Sequence, residues 1–174
     1  MQLCIYFRYC NYMTHFSIIT AAIVLLSGFG NGTAHADIMN AAEDDHIAEY
    51  GLSVAPTYFV HDEEWGVSVH VHSTWMLPHT AFGIGIGYER IFDDHGHNTL
   101  GVLFSYRPFN DFSLVVSPGI TIEDTAPQSV HGAFHIEALY EFDVGGFHIG
   151  PACEYAIEHD DVHVSIGLHV GFGL

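Results

Sequence analysis

The chain has 174 residues, enough for one domain, and carries no lysine, three arginines (Arg8, Arg90, Arg107) and 21 acids, for a formal charge of −18. So acidic a balance excludes the basic footprint that nucleic acid requires and attracts cations instead. Its 18 glycines, 15 histidines and 14% aromatic residues come with no long helical period, which points to an all-β chain.

The first element is a targeting segment. Residues 16–29 (FSIITAAIVLLSGF) form an apolar run of secretory-core length, too short for a comfortable membrane-spanning helix and so not read as an uncleaved anchor. Ala34-His35-Ala36 offers small residues at the positions a signal peptidase reads, so cleavage is expected after Ala36. Arg8 is the only fixed positive charge ahead of the run, and Met13 is an alternative start. The sequence thus divides into a signal peptide (1–36), a flexible acidic lead-in (37–46) and a folded part (47–174). Removal of Cys4 and Cys10 would leave Cys153 alone, without an intrachain disulfide.

Eight segments of period-2 alternation follow, each a β-strand with one bulky apolar face. The first sets Tyr50, Leu52, Val54, Pro56, Tyr58 and Val60 against Gly51, Ser53, Ala55 and Thr57. The second sets Trp65, Val67, Val69 and Val71 against Gly66, Ser68, His70 and His72, and the third Phe82, Ile84, Ile86 and Tyr88 against Gly83, Gly85, Gly87 and Glu89. The fourth opposes Leu100, Val102, Phe104 and Tyr106 to Gly101, Leu103, Ser105 and Arg107; the fifth runs Phe112, Leu114, Val116, Pro118, Ile120, Ile122. The sixth opposes Phe134, Ile136, Ala138, Tyr140 and Phe142 to His135, Glu137, Leu139 and Glu141. The seventh opposes Phe147, Ile149, Pro151, Cys153, Tyr155 and Ile157 to His148, Gly150, Ala152, Glu154 and Glu158. The eighth, Val162 to Leu174, alternates over thirteen residues, with His163, Ser165, Gly167, His169, Gly171 and Gly173 on its polar side. Prolines 56, 118 and 151 fall inside strands, where a lost ladder bond usually implies a bulge.

Strands like these close into a soluble lipocalin-type barrel, apolar side inward, or a membrane barrel, apolar side outward. The aromatics and the bulk share one face while the other is mostly Gly, Ser and Ala, and eight strands leave little interior room. Aromatics such as Trp65, Trp75, Tyr106 and Phe147 also fall at segment ends, as interfacial girdles do. The expectation is an eight-stranded antiparallel up-and-down transmembrane β-barrel. The terminal strand, ending Val170-Gly-Phe-Gly-Leu174, resembles that of bacterial outer-membrane barrels, with Leu174 where that family most often has Phe. The mature chain as a whole is similar to the small OmpA/OmpX/OmpW-type barrels. That resemblance implies an outer-membrane location in a Gram-negative-type bacterium, lipid and lipopolysaccharide as surroundings, and delivery by the barrel-assembly machinery through the C-terminal strand. It implies a role in surface interaction, envelope integrity or limited solute passage.

Tight turns at Pro108–Asp111 and Asp143–Gly146 then face the periplasm, and four acidic connections gather at the outer rim. Their candidate ligands for Zn²⁺, Ni²⁺ or Cu²⁺ are His61, Asp93, Asp94, His95, His97, His159, Asp160 and Asp161. A His-x-His in a loop is a weak signal, and a solvated rim bridged to lipopolysaccharide by divalent ions explains the same residues; no cofactor is certain. The second constellation is a polar lumen of Arg107, His135, Glu137, Glu141, His148, Glu154 and His169. A two-residue turn is expected to set Glu141 opposite His148 and His135 opposite Glu154, with Arg107 reaching Glu137 or Glu141. Structural pairing explains these groups, and conduction of protons or small cations is the alternative. His163-Val-Ser165 matches a His-x-Ser spacing of lipid A deacylases, but both residues face the lumen, away from lipid, so no catalytic residue is assigned. The reading is therefore a non-enzymatic barrel with a cation-attracting rim, ahead of a cation-passing barrel and a lipid A-modifying enzyme.

Overall fold

The computed structural model describes residues 47–174, apart from Gln128, His159 and Asp160. The expected signal peptide and lead-in lie outside the described residues. The alternating segments form β1 (Ala48–Phe59), β2 (Glu64–Met76), β3 (Phe82–Phe92), β4 (His97–Phe109) and β5 (Phe112–Glu123). They continue as β6 (Val130–Tyr140), β7 (Phe142–Val144), β8 (Phe147–Glu158) and β9 (Asp161–Gly173).

Successive strands pair antiparallel, except that β6 and β7 both pair with β8, and β1 pairs with β9, so the sheet closes on itself. β6 and β7 are one strand broken at Glu141: Leu139↔Ala152 and Phe142↔Ile149 continue a single register against β8. The fold is a closed eight-stranded antiparallel barrel, as the alternation requires. Its apolar face points outward: Ile166 and Leu168 of β9 are 66% and 55% exposed, while Ser165 and His169 on either side of them are 7% and 0%. Inside, a small apolar cluster of Leu103, Val115, Leu139 and Ala152 packs one part of the lumen.

Two expectations about the strands are corrected. The strand prolines shift no register; the one irregularity falls between Tyr106 and Phe109. Each proline instead opens the ladder on one side only. Pro56, Pro118 and Pro151 keep partners in β2, β6 and β9, while no Cα partner in β9, β4 and β6 respectively is recorded for them. An antiparallel residue directs its N–H to one neighbour, so losing that donor loosens only one seam. The second correction concerns the last hairpin, which is two residues out of the expected register: Asp143 faces His148, and Glu137 faces Glu154. Gly145 and Gly146 both take positive φ (66° and 86°), which glycine alone adopts freely, so the two-residue turn centres on them. A shift of two keeps every side chain on its face.

The break at Glu141 has a local cause and a consequence. Its N–H extends the β5–β6 ladder by donating to the Asp111 carbonyl at 2.8 Å, so the break lies on the β8 side alone, and its side chain is buried in the lumen. Gly150 lies across from the break, where a Cβ would come within 1.8 Å of the Tyr140 carbonyl oxygen; only glycine fits so close an approach. The four connections after β1, β3, β5 and β8 sit at one end of the barrel, with the hairpin turns and Leu174 at the other.

Candidate functional site

Inward parity carries a column of ionisable side chains through the barrel. At the end holding the tight turns, Arg107 of β4 is paired with Glu49 of β1 and lies 3.6 Å from Oε2 of Glu141. Its Nε donates to Ser113 Oγ at 3.0 Å. Oε1 of Glu141 is 3.3 Å from Nε2 of His169, whose ring stacks on His72 at 5.2 Å. Arg107 was expected to find Glu137 or Glu141. Glu141 is there, but Glu49 replaces Glu137, because Glu49 opens β1 at the same end while Glu137 stands mid-barrel. Glu137 instead accepts from Ser53 Oγ at 3.4 Å and faces His70 Nδ1 at 3.7 Å.

Toward the other end the charges change character. His135 Nδ1 is 3.2 Å from Glu154 and 3.5 Å from Glu89, and its Nε2 is 3.4 Å from Glu158. His163 Nε2 is also 3.2 Å from Glu154. Thr99 and Thr121 hydroxyls donate to Glu158 Oε1 at 2.7 and 2.6 Å. Among the described residues three groups gather donor atoms within 4.8 Å, all in the lumen: Glu89, His135, Glu154 and His163; Glu49, His72 and His169; and His70, Glu137 and Glu154.

The rim residues are engaged in pairs. His61 Nδ1 meets Asp161 Oδ1 at 3.0 Å, and the same carboxylate oxygen accepts from the His61 and Val162 backbone N–H groups. His97 Nδ1 meets Asp93 at 2.8 Å, and Asp93 also accepts from the Gly96 N–H. Asp94 donates its N–H to Glu64, while His95 is exposed with its ring 6.3 Å from that of His97. His159 and Asp160 lie outside the described residues. A cleft of about 240 Å³ opens among these loops, lined by His61, His95, His97 and Asp161, and reaches Glu158. Arg90 clamps Asp124 in a bidentate pair (3.0 and 2.5 Å), and Asn98 adds a third bond. The Arg90 hydrogen bonds, helped by Asn98, hold the Asp124 carboxyl below its ordinary range.

Of the expected lumen set, Arg107, His135, Glu137, Glu141, Glu154 and His169 do face inward and are buried, while His148 is half-buried opposite Asp143. The network also recruits Glu49, His70, His72, Glu89, Glu158 and His163. Five of these already stood on a polar strand face by parity, and that was the available signal.

No protein-family model and no curated protein matches the chain. Among solved structures it is similar to a de novo designed transmembrane β-barrel, with 17% identity, 71% of this chain and 94% of that one covered, and a TM-score of 0.51. It is also similar to Neisserial surface protein A (NspA), with 8% identity, 73% and 96% covered, and a TM-score of 0.54. At such identities the likeness shows the fold, that of a small eight-stranded barrel of the membrane kind.

Proposed function

We propose that the chain is an integral outer-membrane β-barrel without catalytic activity, whose acidic, histidine-bearing rim concentrates divalent cations at the envelope surface. The observation that carries this is the barrel's circumference. Large apolar residues are exposed on β1, β2, β3, β4, β5, β6, β8 and β9, among them Trp65, Ile86, Leu100, Ile120, Ile157 and Ile166. A soluble monomer does not expose a continuous apolar belt, whereas lipid is its natural solvent. Strands of 11–13 residues are long enough for the roughly 9–11 that cross a bilayer at a tilt. Lipopolysaccharide is the expected neighbour, bridged through divalent ions to rim acids, and the alternating β9 is the segment the assembly machinery would read. Burial of Leu103, His163, His169 and Glu141 supports a filled lumen rather than an open pore. His163 and Ser165 are both buried inside, out of reach of a lipid substrate.

The test places single cysteines at Ser165 and Ile166 in a Cys153→Ser background and reads a polarity-sensitive label in vesicles. An apolar signal at 166 with a more polar one at 165, and no steady conductance in planar bilayers, is the expected result. Failure to insert, or the reverse polarity, would make this a soluble barrel; conductance would restore the cation-passing reading.

A further inference from the structure

Four inward side chains on four strands meet in the rim-side half of the lumen: Glu89 of β3, His135 of β6, Glu154 of β8 and His163 of β9. All four are buried, with one donor atom from each inside a common 4.8 Å. Two imidazoles and two carboxylates suit Zn²⁺ and its borderline neighbours, which accept nitrogen and oxygen ligands in four-coordinate sites. Calcium and magnesium ask for six or more oxygens, which this group does not offer.

A proton-sharing network would use the same residue types, but the hydrogen-bond count falls short. Nδ1 of His135 faces Glu154 and Glu89 together, and one ring nitrogen carries at most one proton. Oε1 of Glu154 is the atom that both His135 and His163 approach. Oε2 of Glu89 is left without a hydrogen bond on a side chain 4% exposed, aimed at His135 from 3.5 Å. Arg107, the guanidinium inside the lumen, is held by Glu49 and Glu141 at the opposite end. A cation at the centre of the four donors meets every one of these atoms through a lone pair and needs no further proton. We propose that Glu89, His135, Glu154 and His163 form a buried binding site for one divalent transition-metal ion of the Zn²⁺ class.

The surroundings fit the assignment. With Nδ1 of His135 on the metal, its Nε2–H points to Glu158, which Thr99 and Thr121 hold in place. Metal-bound histidines ordinarily have such an outer partner, and Glu158 at 3.4 Å is placed to be that of Nε2, which has no other among the described residues. Glu158 also ends the rim cleft, which gives an ion a way in. The site goes beyond the rim's general attraction for cations and stands whether or not the rim holds ions. Its donors need only draw in to the roughly 2.0–2.2 Å bonds of a zinc centre.

The test uses the full-length chain, purified folded in detergent micelles, stripped with EDTA and titrated separately with Zn²⁺ and Co²⁺. One ion per chain is expected, with the intense visible bands of tetrahedral Co²⁺. Glu89→Gln and His163→Gln should each weaken Zn²⁺ binding by more than the roughly 10–100-fold that loss of an outer partner costs, and Glu158→Gln by about that range. Asp143→Asn, in the turn at the opposite end of the barrel, should leave it unchanged. Absence of tight Zn²⁺ binding in the folded parent, an octahedral Co²⁺ spectrum, or a site lost with His61 and kept without Glu89 would each overturn the proposal. Should the ligand variants not fold, the parent's stoichiometry and Co²⁺ spectrum decide alone. Failure to enter bilayers would count against the outer-membrane reading and leave this test intact.

Discussion

The two halves of the lumen are built from the same glutamates and histidines but neutralised in different ways. At the turn end, Arg107 sits between Glu49 and Glu141, and His169 completes the group. A guanidinium keeps its charge at any relevant pH, so this half is settled once the chain folds. At the rim end, Glu89, Glu154 and Glu158 surround His135 and His163 with no guanidinium among them. Imidazole is the side chain whose charge varies in the physiological range and the commonest metal ligand. The contrast separates a clasp that holds the barrel from a cluster that depends on what occupies it.

The sharpest way to break this comparison is to remove the clasp. Arg107→Gln leaves two buried carboxylates without their cation, and breaking a buried pair on one side costs about 3–5 kcal/mol. Urea unfolding in lipid vesicles, followed by the fluorescence of Trp65 and Trp75, measures it. A loss under about 1 kcal/mol, the scale of an exposed pair, would mean that Glu49 and Glu141 are neutral or hydrated and that the two halves do not differ.

A smaller effect of opposite sign is expected at the rim end. In EDTA, Glu89→Gln removes a buried acceptor that has no donor and keeps the shape, so stability should stay level or rise by up to roughly 1 kcal/mol. Added Zn²⁺ should then raise the unfolding midpoint of the parent and not that of the variant, since a ligand stabilises only the state that binds it. A variant clearly less stable than the parent in EDTA would show that Glu89 is satisfied without metal.

Most of the barrel was legible because it obeys one rule. Alternation assigned Ser165 and His169 to the inside and Ile166 and Leu168 to the outside, and the structure agrees. The same parity had set His70, His72 and Glu89 on the polar side, yet not their neighbours, because contacts across a lumen depend on barrel closure and stagger, which no single strand encodes. The expected pairing of His135 with Glu154 shows this well. The two residues do meet, at 3.2 Å, but diagonally, since His135 lies opposite Ala156. The turn glycines fixed that register: centring the two-residue turn within Asp143–Gly146 rather than on Gly145 and Gly146 displaced it by two. The break at Glu141 and the Arg90–Asp124 clamp had no periodic signal at all: one rests on a backbone approach at Gly150, the other on a β3 side chain and a loop carboxylate brought together by the fold.

The Arg90–Asp124 clamp supplies the control for the whole comparison, because it is an arginine–carboxylate pair in water rather than in the lumen. It ties the end of β3 to the β5–β6 connection, beside the hydrogen bond from the Asp124 N–H to the Gly96 carbonyl at 2.9 Å. A carboxyl held below its ordinary value contributes stability above the unfolded-state pKa and loses it as pH falls through the folded one. Acidification through and below the ordinary aspartate range should therefore lower the protection of the Asp124 amide relative to the intrinsic exchange rate at each pH, and 0.5 M salt should weaken the pair already at neutral pH, since exposed charges are screened. In an NMR titration the Asp124 midpoint should lie below that of an ordinary aspartate and return toward it in Arg90→Gln, with the global unfolding midpoint nearly unmoved. If Arg90→Gln instead destabilised the barrel as much as Arg107→Gln, burial would not be what distinguishes the clasp, and the contrast between the two lumen halves would have to rest on something other than desolvated charge.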